Sequence, residues 1–267
     1  MKYSVLMSVY KKENPNHLRK SINSMISQTV LPDEIVIVID GPLTNELEEV
    51  INEFTKTHEN LFKIIISKNN IGLGRALNLG LCYCKNEIVA RMDTDDISLP
   101  YRCEKQLKEF ENDCNLSVLS GKIAEFVDNE NNIVGIRSVP LNDVEIKKYL
   151  KTRCPFNHVA VMFKKSEILR AGNYQDWFWN EDYYLWIRMY ELGCKFSNLS
   201  DVLVNVRVGD DMYKRRGGWK YFNSEATLQF YMFKNGIINF AVYIYNVFIR
   251  FIIQVLMPNN LRSFIFR

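Results

Sequence analysis

The densest chemistry in the sequence is a run of acids, Asp93-Thr94-Asp95-Asp96, set directly after the apolar run Glu87–Met92. Three carboxylates within four residues repel one another unless a cation lies among them. Hard divalent ions such as Mg2+ or Mn2+ take oxygen ligands and bridge a protein carboxylate to substrate phosphates. A solvated acidic turn would use the same residues, but the strand-like run leading into the cluster favours the metal. A second pair of acids, Glu181-Asp182, lies among aromatics in Phe178-Trp179-Asn180-Glu181-Asp182-Tyr183-Tyr184-Leu185-Trp186. Apolar surroundings raise a carboxyl pKa, which suits a general base beside a sugar hydroxyl. The competing explanation is capping, since acids at a helix N-terminus stabilise it without any catalytic role. Arg207 and Arg215-Arg216, the latter beside Gly217-Gly218, offer guanidinium forks for phosphate in a loop able to close, or else a basic surface. His158, in Pro155-Phe156-Asn157-His158, is a candidate wall of an acceptor pocket, although a lone histidine is more often structural.

These residues are far apart in sequence, so strand ends must gather them. Tyr3–Val9 is a short β-rich run, and Asn14-Pro15 supplies an N-cap and an N1 proline for a helix to about Gln28. Glu34–Ile39 is nearly all Val and Ile, as in a strand buried on both faces. A helix over Asn45–Thr57, a strand over Leu61–Ile66, a loop and helix over Asn70–Cys84 and a strand over Glu87–Met92 follow. The order β-α-β-α-β-α-β predicts an α/β fold with a mainly parallel sheet, whose ligands bind beyond the carboxyl ends of the strands. Ser8-Val9-Tyr10, Asp40-Gly41-Pro42 and the acid cluster then share one rim. The glycines of Asn70-Ile71-Gly72-Leu73-Gly74-Arg75 permit a tight entry into a helix whose N-terminus favours an anion, which makes Arg75 a candidate donor contact. Beyond residue 99 the spacing predicts a helix over Pro100–Glu111, strands over Ser117–Phe126, Ile133–Val139 and Val159–Phe163, and a helix over Asp182–Leu192.

Taken in order, Met7-Ser8-Val9-Tyr10, Glu34–Asp40 with Gly41, Asn70-x-Gly72-x-x-x-Ala76-x-Asn78-x-Gly80, Asp93-Thr94-Asp95-Asp96 and Glu181-Asp182-x-x-Leu185-Trp186 resemble the family 2 glycosyltransferases of GT-A fold. Arg207 and Arg215-Arg216-Gly217-Gly218 resemble the branch that builds bacterial O-antigen, capsule and exopolysaccharide repeat units. The resemblance implies a metal-dependent, inverting transfer of a hexose, glucose or galactose, from a UDP-sugar to a polyprenyl-diphosphate-linked sugar. It implies that Ser8, Tyr10 and Asp40 hold the nucleoside, and that Asp93 and Asp95 form an Asp-x-Asp element with Asp95 as the direct Mn2+ or Mg2+ ligand. By the same resemblance Asp182 is the base, with Glu181 assisting or contacting acceptor; Trp179 and His158 would line the acceptor side. Many members carry two adjacent acids after the second strand where this chain has Ile39-Asp40.

The expected organisation is a GT-A domain over 1–216, with a nucleotide-sugar half (1–98) and an acceptor half (99–216), followed by a helical region over 217–267. Net charge is +3, which makes no case for nucleic acid. The last 73 residues, however, hold 10 Lys and Arg against 4 Asp and Glu. Within Ile237–Met257 the polar residues Asn239, Asn246, Arg250 and Gln254, with Tyr243, form one stripe on a helix. That segment predicts a helix in the membrane interface, or one packed on the body with an apolar face exposed, or an internal core helix. Residues 3–9 are too short for a signal-peptide core, and the six cysteines show no Cys-x-x-Cys pair. The expected location is therefore peripheral, on the cytoplasmic face of the inner membrane. Two other functions share parts of the pattern. A nucleotidyltransferase would release pyrophosphate, but no Gly-rich, Lys-terminated loop follows the first strand. A non-catalytic sugar-binding protein would not need the acids at 93, 95, 181 and 182.

Overall fold

The computed structural model describes residues 1–209 and 217–258. Arg215 and Arg216, expected at the diphosphate, lie outside the described residues. The first half runs β1 (Tyr3–Val9), α1 (Pro15–Ile26), β2 (Glu34–Asp40), α2 (Asn45–Thr57), β3 (Phe62–Ser67), α3 (Leu73–Tyr83), β4 (Ile88–Arg91) and β5 (Ile97–Ser98). Then come α4 (Arg102–Asn112), β6 (Leu116–Phe126), β7 (Ile133–Arg137), α5 (Asp143–Leu150), β8 (Met162–Lys164), α6 (Lys165–Arg170), α7 (Glu181–Glu191) and β9 (Lys195–Arg207). Two helices close the described chain, α8 (Trp219–Lys234) and α9 (Phe240–Phe251).

The period of two in the strands sorts the core into two layers. Val5, Met7 and Val9 of β1 and Ile35 and Ile37 of β2 meet Leu18, Ile22 and Met25 of α1 and Leu47, Val50, Ile51 and Phe54 of α2. The alternate residues Leu6, Val36 and Val38 face Ala76, Leu77 and Leu81 of α3. This double coverage is why β1 and β2 are apolar at nearly every position. Gly80 lets α3 lie close on the sheet, since a Cβ there would come within 2.4 Å of Leu6 Cδ1 and 2.6 Å of Val38 Cγ2. Local sequence fixes the helix starts. Asn14 accepts from the backbone N–H groups of Asn16 and His17 with Pro15 at the first helical position, and Thr44 caps α2 through the Leu47 N–H.

The sheet order is β3-β2-β1-β4-β8-β6-β9-β5, with β7 on β6. The strands β3, β2, β1 and β4 are parallel, as expected. The rest is mixed: β6 and β9 pair in parallel, while β4–β8, β6–β8, β6–β7 and β5–β9 are antiparallel. The mainly parallel sheet expected from the first-half alternation is present, and the second half extends it as a mixed sheet. Local details differ in the second half. The strand expected from Val159 begins at Met162, because His158–Ala160 forms a 3-10 turn. The long β9, in which polar and apolar residues are mixed, is a strand for which the sequence gives no expectation. The segment Ile237–Met257 is α9 followed by a π-helical turn at Ile252–Leu256.

Candidate active site

A cavity of about 1300 Å3 opens at the carboxyl ends of β1, β2 and β4, walled on its far side by the segment before α7. Its lining includes the expected residues Ser8, Tyr10, Asp40, Arg75, Asp93, Asp95, Trp179, Glu181 and Arg207. It does not include His158 or Asp182.

The acid cluster is divided by its partners. Asp93 is held by both terminal nitrogens of the buried Arg91 guanidinium, at the end of β4. Asp96 is buried and accepts the Arg207 backbone N–H at 2.8 Å; burial, then Asp95, pushes its pKa well above the usual carboxylate range. Among the described residues no other residue donates to the Asp95 carboxylate. Burial, then the charges of Asp93 and Glu13, push its carboxyl up to about 7. Glu13 is nearby because Thr94 donates to it at 2.7 Å. A cation beside Asp95 would relieve this repulsion. Among the described residues no group of three His, Cys, Asp or Glu side chains stands ready to hold a metal. A hard divalent ion such as Mg2+ or Mn2+ needs only one or two protein carboxylates, and the Asp95 carboxylate at the rim fits that requirement. Arg207, at the end of β9, donates to the carbonyls of Asp95 (3.3 Å) and Asp128 (3.2 Å) and lies 4.6 Å from the centre of the Phe126 ring. These contacts fix the guanidinium at the rim.

The role expected of Asp40 is revised. Its two carboxylate oxygens accept the backbone N–H groups of Ile71 (2.7 Å) and Gly72 (3.1 Å), just ahead of α3. It lines the cavity, but its side chain is committed to holding the 70–72 loop against the sheet. Gly41 serves the same closure: its φ is +85°, and a Cβ there would lie 2.7 Å from Asn70 N. Arg75, on the first turn of α3, is exposed and paired with Asp176 across the cavity mouth.

The aromatic wall is tied to the C-terminal helices. The Trp177 Nε1–H donates to the Ser224 carbonyl at 3.0 Å, Asn180 Nδ2 donates to Ser224 Oγ at 3.2 Å, and Ser224 Oγ donates to the Phe178 carbonyl at 2.6 Å. Between them Trp179 takes a φ of +56°, unusual for a bulky residue, and its half-exposed ring stacks on Phe178 at 4.4 Å. Glu181 follows, and burial, then Asp182, push its carboxyl up to about 7. Asp182 is next in sequence and outside the cavity lining. Its Oδ1 accepts the Tyr183 N–H at 2.7 Å and its Oδ2 is 3.8 Å from Cys154 Sγ; burial raises its pKa. The expected place of His158 at the acceptor is corrected. Its Nε2 lies 2.9 Å from the Tyr174 hydroxyl, its ring meets Trp186 edge-on, and burial, then Arg91, hold its pKa well below the usual histidine value. It is a neutral packing residue beneath the site.

The cavity also gathers residues that the sequence reading passed over, among them Glu13, His17, Asp128 and Asp176. Glu13 and His17 had a signal: they follow β1 and open α1, so they share the rim with Tyr10. Asp128 and Asp176 had none, because their placement depends on β6–β7 pairing and on the approach to α7.

The sequence profile of glycosyl transferase family 2 matches residues 4–171. The amylovoran biosynthesis glycosyltransferase AmsE of Erwinia amylovora is 41% identical over 228 residues, covering 85% of this chain and 84% of that one. An Escherichia coli protein named UDP-Gal:alpha-D-GlcNAc-diphosphoundecaprenol beta-1,3-galactosyltransferase is 38% identical over 266 residues, covering 100% of this chain and 95% of its own. The crystal structure of S. aureus TarS 1-349 in complex with UDP-GlcNAc superposes with a TM-score of 0.66 at 18% identity, covering 94% of this chain and 73% of that one, which shows the GT-A fold. The chain belongs to glycosyl transferase family 2, in the branch that serves bacterial polysaccharide biosynthesis.

Proposed function

We propose that the protein transfers a hexose, galactose or glucose, from a UDP-sugar to a sugar carried on a polyprenyl diphosphate, with inversion and with a divalent cation. The observation that carries this reading is the match, along the whole chain, to the Escherichia coli relative named for UDP-Gal and a GlcNAc-diphosphoundecaprenol. Ser8 and the exposed ring of Tyr10 would hold the nucleoside, with the 70–72 loop shaped by Asp40. Asp95 would ligate the cation together with diphosphate oxygens, and Asp93, neutralised by Arg91, would fix the Asp95 backbone. When bound, the cation supplies Lewis-acid stabilisation of the charge on the departing diphosphate. Arg207 adds donors on the same side, and Trp179 presents a ring face to a sugar. The acceptor hydroxyl loses its proton to the acid pair, its oxygen attacks the anomeric carbon, and the bond to the diphosphate breaks. The family motif assigns that base to Asp182. The cavity lining and a carboxyl pushed up to about 7 favour Glu181. Residues 1–98 would serve the donor, 99–216 the acceptor, and 217–267 the cytoplasmic membrane face.

The test is a panel of nucleotide sugars with Mn2+ and a lipid-diphosphate-GlcNAc analogue. UDP release that requires acceptor, from one UDP-hexose, is expected. Folded protein that transfers from no donor, or that releases pyrophosphate, would end the proposal. Glu181→Gln and Asp182→Asn separate the two candidate bases, since the base variant loses transfer while keeping UDP binding.

A further inference from the structure

The last described helix carries its polarity inside out. Asn246, Arg250 and Gln254, spaced four apart, face the body. Asn246 Nδ2 donates to Gln229 Oε1 at 2.7 Å and to the Lys151 carbonyl at 2.9 Å. Arg250 pairs with Glu225 and donates to the Thr152 carbonyl at 2.6 Å, and Gln254 Nε2 donates to Glu225 at 3.1 Å. The opposite face holds Phe240 (61% exposed), Ile244 (48%), Tyr245 (63%) and Phe248 (59%). A helix on a water-facing surface buries its apolar stripe and exposes its polar one. Here hydrogen bonds and an ion pair hold the helix to the body, and the aromatics are turned outward.

We propose that this outer face of α9 lies in the headgroup–acyl boundary of an anionic bilayer. Charge selects that occupant. Residues 217–258 contain one acid, Glu225, which the Arg250 pair consumes, while Lys220 and Lys234 are exposed. A second copy would bring the same two lysines and no free acid from this segment, whereas anionic headgroups complement the lysines. Geometry selects the mode. No helix among the described residues is long and apolar enough to cross a membrane, and the 12 residues of α9 with the 5 of the π-helical turn rise at most about 25 Å, short of an about 30 Å hydrocarbon core. The helix therefore lies along the surface, with Tyr245 suited to the interface. The face is mechanically continuous with the cavity, because Ser224 of α8 grips Trp177, Phe178 and Asn180. The inference deepens the reading of a lipid-linked acceptor, by assigning the face that brings the cavity to the lipid.

Flotation with phosphatidylethanolamine–phosphatidylglycerol vesicles, without donor or acceptor, tests it apart from any transfer activity. Wild type is expected to float with these vesicles and much less with phosphatidylcholine vesicles. Ile244→Glu and Phe248→Glu, both exposed, should each weaken binding about tenfold or more, with thermal unfolding unchanged. Wild type that stays unbound, or variants that float like wild type, would overturn the proposal. So would a wild-type dimer by light scattering that Phe248→Glu converts to monomer, which would make the face a protein interface.

Discussion

Replacing Glu181 by Gln should change how stability depends on pH. In the folded protein the Glu181 carboxyl is pushed from its ordinary 4.5 up to about 7, by burial first and by Asp182 second. Between these two values the folded state holds a proton that the unfolded state has released. Stability therefore falls as pH rises from the lower value through the upper one. At about 1.4 kcal/mol per pH unit, the gap sets a ceiling of about 3 kcal/mol for the whole loss. Roughly 1.4 kcal/mol of it is gone by about pH 5.5, which leaves about 2 kcal/mol between there and about pH 8. Glu181 borders an open cavity, where water screens the charge, so a change of about 1–2 kcal/mol is expected. Gln mimics the protonated acid and removes this dependence. Urea unfolding of both proteins at about pH 5.5 and about pH 8 should therefore show the variant gaining on wild type by that amount at the higher pH. Wild type and variant that keep the same difference at both pH values would refute the reasoning.

Two further substitutions probe the frame of the cavity. Gly41→Ala must adopt a φ of +85° and place its Cβ 2.7 Å from Asn70 N, so it should lose about 1–3 kcal/mol in urea unfolding. Asp93→Ala strands the buried Arg91 charge and should cost roughly 3 kcal/mol, part of which the double variant Arg91→Met/Asp93→Ala should recover. An unaltered melting temperature for Asp93→Ala would show that the pair contributes nothing.

The first half of the fold was legible because each of its elements declares itself locally. Asn14-Pro15 and Thr44 cap their helices, and the largely apolar run at 3–9 and the Val- and Ile-rich run at 34–40 are covered on both faces. The rim followed from topology, since parallel strands bring Ser8, Asp40 and Asp93 to one end. What stayed hidden depended on long-range pairing. β9 mixes polar and apolar residues without a clean alternation, and its place between β6 and β5 is a tertiary outcome. The side-chain commitments of Asp40, Asp93 and His158 could not be read either, because their partners (the 71–72 amides, Arg91 and Tyr174) come from loop closure and burial. The polar stripe of the C-terminal helix was visible, but its inward direction was not: Gln229, Glu225 and the Lys151 and Thr152 carbonyls had first to be brought beneath it.

Calorimetric titration of UDP, with and without Mn2+, into wild type and Asp95→Asn bears most directly on a nucleotide cavity with its cation at Asp95. Mn2+ should tighten UDP binding to wild type about tenfold or more, and Asp95→Asn should lose that gain while keeping its fold. Equal UDP affinity with and without Mn2+, or an Asp95→Asn protein that binds as wild type does, would contradict it.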